Sequence, residues 1–522
     1  NKMASSIISA LLLLVVGSCE SFKFLMISPL IGKSHAILGD GVVRHLLNAG
    51  HQITYITAFP DNMSHKNLTT IDVSANKEAF EGATISIKTI MDKEINVQDL
   101  SFLLHTFGEV GKKTLSNKFV QELLKDNQQF DAIIAEWMFT EIYAGFSAVY
   151  DCPLIWLSTV EPHWMVLQLI DEAPNPAYTP DCLTTHVPPF TFWQRTQELF
   201  NQYYGRYLQY RYSFGLEQVH YEQYLVPHIK DMTKPIPTLD TLRYNASLML
   251  GNSHFSLGQP SSLPQNYIPV AGYHIDKEVE PLPEDLKILM DNSKNGVIYF
   301  SMGSNLKSGD FPQELKEGFV KIFGELKQTV IWKFEDELLE NRPENLHILK
   351  WAPQQSILAH PNCILFITHG GLLSTTEAIH FGVPIIGIPV FADQFTNIER
   401  AVNKSFAKKV TLSYTILKDF KEQIESILYN PKYTATAKEL SLIYHSRLVP
   451  PGVELVHWVE HVVQTRGAPH LRSPSLHMPL YQKCYLDLLA VVLVLLTAVL
   501  YVVRKMFKSV FKKSIVNSKK YK

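Results

Sequence analysis

Short apolar runs, each cut off by Gly, Pro or polar residues, recur along the chain and alternate with stretches of helical period. KFLMISP (Lys23–Pro29) reads as a buried strand, followed by a loop, LIGKSH, and a helix from about Ala36. Val42, Val43, Leu46 and Leu47 share one face of that helix, and Gly50 stops it. HQITYITAF resumes strand character, and FDAIIAEW (Phe130–Trp137) and CPLIWLS (Cys152–Ser158) read as later strands. A helix carried between two such runs makes them parallel neighbours, with helices on the sheet faces. A second series begins at GVIYFSMGS (Gly296–Ser304), with a helix from about Pro312 to Leu326 and strands at TVIWKF, LHILKW, CILFIT and PIIGIP. Further helices start near Gly371 and Ala392. The expectation is an α/β chain of two facing, doubly wound Rossmann-like domains, with helices continuing to about Gln464.

Two segments depart from this rhythm. From Pro174 to about Pro237 prolines are frequent and aromatics crowd together in FWQRTQELFNQYYGRYLQYRYSF. A pocket wall, a membrane-contacting excursion and ordinary helical packing all fit that composition. The stretch around Pro264–Leu286, rich in proline and charge, reads as the interdomain linker.

Both ends read as membrane-related. From Met3, MASSIISALLLLVVGSCES has an apolar stretch ended by small residues, the profile of a cleaved secretory signal, here placed at 1–19. Leu486–Val503 is 18 residues carrying one charge, Asp487. At about 1.5 Å per residue it suits a single bilayer span, placed at 485–503. The segment 504–522 holds eight Lys or Arg and no acid, which assigns it to the cytoplasm and the body to the lumen. Sequons at Asn62, Asn67, Asn245 and Asn403 agree. Lys519 and Lys520 resemble a dilysine retrieval signal, which places the protein in the endoplasmic reticulum membrane; attraction of the basic tail to anionic lipid is the other reading.

A chain of 522 residues exceeds a single core, so domains at 20–280 and 281–465 are expected. Its 48 basic and 50 acidic residues leave no electrostatic footprint for nucleic acid. Five cysteines without metal-ligand spacing indicate neither a disulfide framework nor a zinc site; one unassigned bridge is allowed.

The chemistry gathers in WAPQQSILAHPNCILFITHGGLLSTTEAIHFGVPIIGIPVFADQFTNIER (Trp351–Arg400), where polar residues stand at the ends of buried strands. Ligands of open parallel sheets bind beyond those ends, where helix N-termini offer free N–H groups to phosphate. Gly370 and Gly371 let the backbone approach a diphosphate, to which His369 and Ser374 can donate; SMGS adds Ser301, Gly303 and Ser304. The Trp351 indole can stack on a base and Gln354 can pair with its edge. Glu377 can accept from ribose hydroxyls, and Asp393 with Gln394 offers a carboxylate and an amide to a sugar. Together they read as a clamp for a nucleotide sugar.

At this length the stretch resembles the signature of family 1 UDP-glycosyltransferases, and the resemblance extends to SMGS, GKSH, the signal and the C-terminal span. EPHWMVLQLIDEAPNPAY and SLGQPSSLPQNY look most like the insect branch. The resemblance implies a GT-B fold, with the acceptor held by the N-terminal domain and the donor by the C-terminal one. It assigns uracil to Trp351 and Gln354, ribose to Glu377, and diphosphate to Ser304, His369, Gly370 and Gly371. It assigns the sugar to Asp393 and Gln394. Many relatives carry Asn where Leu373 stands, so this clamp relies more on backbone and Ser374.

Inverting transfer needs a base for the acceptor hydroxyl, and His35 after the first strand has a suitable ordinary pKa. The resemblance makes it the base and puts its carboxylate partner at Glu136, where vertebrate relatives carry Asp. Asp131 and Asp151 read as structural. No metal or cofactor is implied; the UDP-sugar is a co-substrate. The expected activity is transfer of a hexose, glucose favoured and glucuronate next, to hydroxyls of small lipophilic acceptors in conjugation and detoxification. A lipid-directed membrane glycosyltransferase and a catalytically silent UDP-sugar-binding subunit are the alternatives. Acceptor identity and oligomeric state, a homo-oligomer included, are left open.

Overall fold

The computed structural model describes residues 21–518, apart from 81–85, 93, 95, 97, 232, 260, 276–277, 305, 336–338 and 340–341. The expected signal and the lysine pair 519–520 therefore lie outside the described residues.

The first half starts with β1 (Lys23–Ser28), α1 (Lys33–Asn48), β2 (Gln52–Thr57) and β3 (Leu68–Asp72). It continues through α2 (Leu100–Ser116), β4 (Ala132–Trp137) and β5 (Leu154–Ser158). Next come α3 (Phe192–Gln209), α4 (Gly215–Tyr224), β6 (Leu248–Gly251) and β7 (Tyr267–Pro269). The seven strands form one sheet in the order β3-β2-β1-β4-β5-β6-β7, all neighbours parallel. Every residue of β4 is buried, as a strand covered on both faces requires.

The second half runs β8 (Val297–Ser301), β9 (Thr329–Lys333), β10 (Leu346–Leu349), α5 (Gln354–Ala359) and β11 (Cys363–Thr368). It goes on through α6 (Leu372–Phe381), β12 (Ile385–Gly387), α7 (Gln394–Asn403) and β13 (Ala407–Lys409). Six parallel strands lie in the order β10-β9-β8-β11-β12-β13. In both sheets the order reverses beside the first strand, the Rossmann arrangement.

After α8 (Lys432–His445), the chain returns in α9 (Pro451–Gln464) to the first half. Leu455, Val459 and Val462 of α9 join Phe24, Met26, Val42 and Ile134 in one buried cluster. Glu460 of α9 takes a hydrogen bond from His51 Nε2 at 3.0 Å.

Three sequence expectations need correction. α1 begins at Lys33, so His35 occupies a helical first turn rather than a loop, its N–H bonded to the Gly32 carbonyl at 3.0 Å. The segment read as a linker contains β7, because Ile268 and Val270 are apolar enough to complete the first core. Trp351 lies beyond β10, in the turn before α5, and does not end the strand. Of the readings left open for the aromatic segment, the helical one agrees with the structure: α3 passes through a π-turn at Tyr210–Phe214 into α4.

Cys152, Cys182, Cys363 and Cys484 are free. Residues 473–522 form a second compact unit. It carries α10 (Leu486–Ser518), in which Leu486–Ser509 is long and apolar enough to cross a membrane.

Candidate active site

The two reversal points, β1/β4 and β8/β11, open on one cavity of about 830 Å³ lined by both halves. From the first half, the opening turn of α1 presents His35, and β4 presents Glu136 one residue before its end. The Glu136 carboxylate is buried and receives two short contacts, Ser28 Oγ at 2.5 Å and His35 Nδ1 at 2.5 Å. A carboxylate accepts, so Nδ1 carries the imidazole proton and Nε2 keeps its lone pair. Burial alone would lower the His35 pKa. The Glu136 charge and hydrogen bond, helped by Asp393, outweigh it and raise the value above the ordinary one.

The facing wall is polar and built from strand ends. Ser301 closes β8, and its Oγ accepts the Gly303 N–H at 3.2 Å. Gly303 has φ +83°, and a Cβ there would lie 2.5 Å from the His369 ring, so only glycine fits. Ser304, His369 and Gly371 line the cavity around this turn. Burial, with Lys333 adding to it, pushes His369 down to about 4, so at neutral pH the ring is an uncharged hydrogen-bond donor. Gly370 does not line the cavity; it is packed against Ile398, and its carbonyl accepts from Asn397 Nδ2 at 3.2 Å.

Gln354, Ser374 and Glu377 form a connected group. Gln354 Nε2 donates to Glu377 Oε2 at 2.5 Å and to Ser374 Oγ at 3.2 Å, while Tyr299 donates to Gln354 Oε1 at 3.3 Å. Trp351 beside them is 55% exposed, with Lys33 Nζ 4.2 Å and Lys333 Nζ 5.7 Å from its ring centre. Asp393 follows Ala392, whose φ of +51° is a left-handed turn that aims the carboxylate into the cavity. Burial raises the Asp393 pKa, against the Asn397 hydrogen bond and the His35 charge. Gln394 Oε1 accepts from the Val390 and Phe391 N–H groups at 2.9 and 3.1 Å, so its NH₂ remains as donor.

Every residue singled out from the sequence except Gly370 lines the cavity or, like Glu136, touches one that does. Sequence reading missed Lys333, at the end of β9, which lines the cavity and donates to the Gly303 carbonyl at 2.9 Å and Glu335 at 2.7 Å. A lone lysine ending an apolar run gives no signal of its own. It also missed the apolar wall, Phe102, Leu103 and Phe107 of α2 with Met138, Phe139 and Leu183, because those residues read as core. Leu373, where an amide was expected, lines the cavity and packs against the core cluster of the first half.

Two Rossmann sheets that share a cavity, apolar on one side and glycine-rich and polar on the other, define a glycosyltransferase of the GT-B fold. Solved structures of that fold match almost throughout. The calicheamicin glycosyltransferase CalG4 superposes with a TM-score of 0.57 at 16% identity, covering 86% of this chain and 100% of its own. The kitacinnamycin glycotransferase gives 0.56 at 15% identity, covering 85% and 99%. The family described as "UDP-glucoronosyl and UDP-glucosyl transferase" matches residues 24–521, and the chain belongs to it. Its relatives include UDP-glucosyltransferase 2 of Dactylopius coccus, 31% identical with 96% of each chain covered. UDP-glucuronosyltransferase 2B15 of Rattus norvegicus is 27% identical with 100% of each covered. The protein is a UDP-glycosyltransferase.

Proposed function

We propose that this enzyme moves glucose from UDP-glucose to a hydroxyl of a small lipophilic acceptor, in a conjugating, detoxifying role. The observation that carries the reading is the His35–Glu136 pair, standing where the apolar wall meets the polar one. The acceptor lies against Phe102, Phe107 and Met138, which recognise bulk and hydrophobicity rather than a particular group. His35 Nε2 takes the hydroxyl proton as the oxygen attacks the anomeric carbon. The bond from that carbon to the diphosphate oxygen breaks, and UDP leaves with the electron pair, inverting the centre. Glu136 holds the imidazole tautomer and balances the imidazolium that forms. His369, Ser304 and the N-terminus of α6 stabilise the charge on the departing diphosphate. Uracil rests on Trp351, the ribose on Glu377 and Gln354, and the hexose on Asp393 and Gln394.

Glucose is favoured over glucuronate by the placement of charge. Among the described residues lining the cavity Lys333 is the one Lys or Arg, and it is held at the Gly303 turn, 5.7 Å from the Trp351 ring, at the diphosphate and base parts of the clamp. The glucosyltransferase name of the Dactylopius relative agrees. The apolar α10 followed by basic residues supports anchoring in the endoplasmic reticulum membrane with a lumenal body. The test is a donor screen with one simple phenol, read by product mass. A hexoside formed from UDP-glucose in preference to UDP-glucuronate is expected, and a glucuronide as the main product would overturn the donor assignment.

A further inference from the structure

The helical pair α3–α4 is built inside out. Its inward face carries Glu198, Gln202, Gln209, Ser213 and Glu217, all buried, beside Leu208 and Tyr221. Glu198 accepts from His186 and Thr184, each at 2.7 Å. Glu217 accepts from Thr140 at 2.6 Å and Arg243 at 3.1 Å, and Gln209 accepts from Gln168 at 3.2 Å. Its outward face carries Trp193, Phe200, Tyr203, Tyr204, Tyr207 and Tyr210, with Trp193 76% and Tyr210 74% exposed. Phe200, Tyr204 and Tyr207 stack in a row along the surface, with successive ring centroids 5.4 and 6.2 Å apart. A helix in water puts its apolar stripe inward. This one does the reverse over α3, the π-turn and the start of α4.

Over the aromatic stretch, before the exposed Glu222 near the end of α4, the outward charges have one sign. Arg195 and Arg211 are exposed and Arg206 is partly so, whereas the acids between Phe192 and Val219 are Glu198 and Glu217, both buried. Aromatic rings mixed with arginine are what the headgroup layer of a bilayer accepts: rings at the boundary, guanidinium groups on phosphate. We propose that the outward face of α3–α4 lies in the interfacial layer of a bilayer containing anionic lipid. This rests on the reading that α10 anchors the chain in such a bilayer. The helix α3–α4 packs on α2, whose Phe102, Leu103 and Phe107 wall the cavity, so one helix separates the face from the acceptor site.

The test uses the full chain in nanodiscs of phosphatidylcholine and phosphatidylserine, with bromine either near the acyl carbonyls or near the chain ends. The Trp193 contribution is the emission of the wild type minus that of Trp193→Phe. Shallow bromine is expected to quench most of it, deep bromine much less, and Arg195→Gln with Arg211→Gln is expected to remove the dependence on phosphatidylserine. Emission blind to bromine and open to acrylamide overturns the proposal. So does emission blind to both with two chains per disc, which would mean that a second copy covers the face. Flotation of the protein with vesicles after an alkaline wash tests anchoring by itself: loss there indicts α10, whereas retained flotation with unquenched Trp193 indicts this face alone.

Discussion

His35 Nδ1 stands 2.5 Å from Glu136 Oε1, although 101 residues separate the two in the chain. The other carboxylate oxygen is held by Ser28, so the glutamate cannot swing away. His35→Ala is expected to lower kcat by about 10²–10⁴-fold with little change in the KM for UDP-sugar. Wild-type turnover by that variant with an alcohol acceptor would refute the mechanism.

The same pair sets a pH dependence. The base works in its neutral form, so the rate rises with pH through the His35 pKa, which lies above the ordinary 6.5. Glu136→Gln removes the main charge that raises it, and burial is then opposed by the weaker Asp393 charge alone. The acidic limb of kcat/KM should move to lower pH while the plateau falls. An unmoved limb would show that another group titrates.

Glu377 is linked to Gln354 and Ser374 and lies away from His35 in the proposed order of binding. Glu377→Ala should raise the KM for UDP-sugar roughly tenfold to a hundredfold, as loss of hydrogen bonds to a charged group does, and leave the acceptor KM alone. Initial-rate kinetics varying one substrate at a time separate the two. Asp393→Ala should likewise act on the donor, and equal effects on both substrates would remove the sugar from that residue.

Gly303→Ala is expected to cost about 1–3 kcal/mol in the turn, from its left-handed backbone and the clash with His369. Weaker UDP binding by calorimetry, with the acceptor KM unchanged, is the expected outcome.

Arg243 is buried with Glu141 and Glu217, at 3.0 and 3.1 Å, and does not line the cavity. Burial and the Glu217 charge push Glu141 up to about 7. Arg243→Met leaves two carboxylates without a counter-charge and should destabilise the body by about 3–5 kcal/mol. A lowered unfolding midpoint with unchanged KM values in the surviving enzyme checks it.

Much of this was legible in the chain. CILFIT and PIIGIP announced strands buried on both faces, and the polar residues after them reached the cavity because parallel strands deliver their carboxyl ends to one side. What escaped has physical reasons. β3 is half-exposed and mixed in polarity, and β7 and β13 are three residues each, too short for a periodic signal. Lys333 gains its place from a turn thirty residues earlier in the chain. The helix α3–α4 is one of three readings open to its segment, and pattern cannot choose it because aromatics lie outward and polar residues inward.

The return of α9 to the first sheet decides where the chain can be cut. Ending it before Pro451 would strip Leu455, Val459 and Val462 from the cover over β1 and β4, exposing a greasy seam that invites aggregation. A stop just after Arg472 removes α10 and spares both interiors, so an enzyme without its apolar C-terminal helix should be obtainable there and nowhere much earlier.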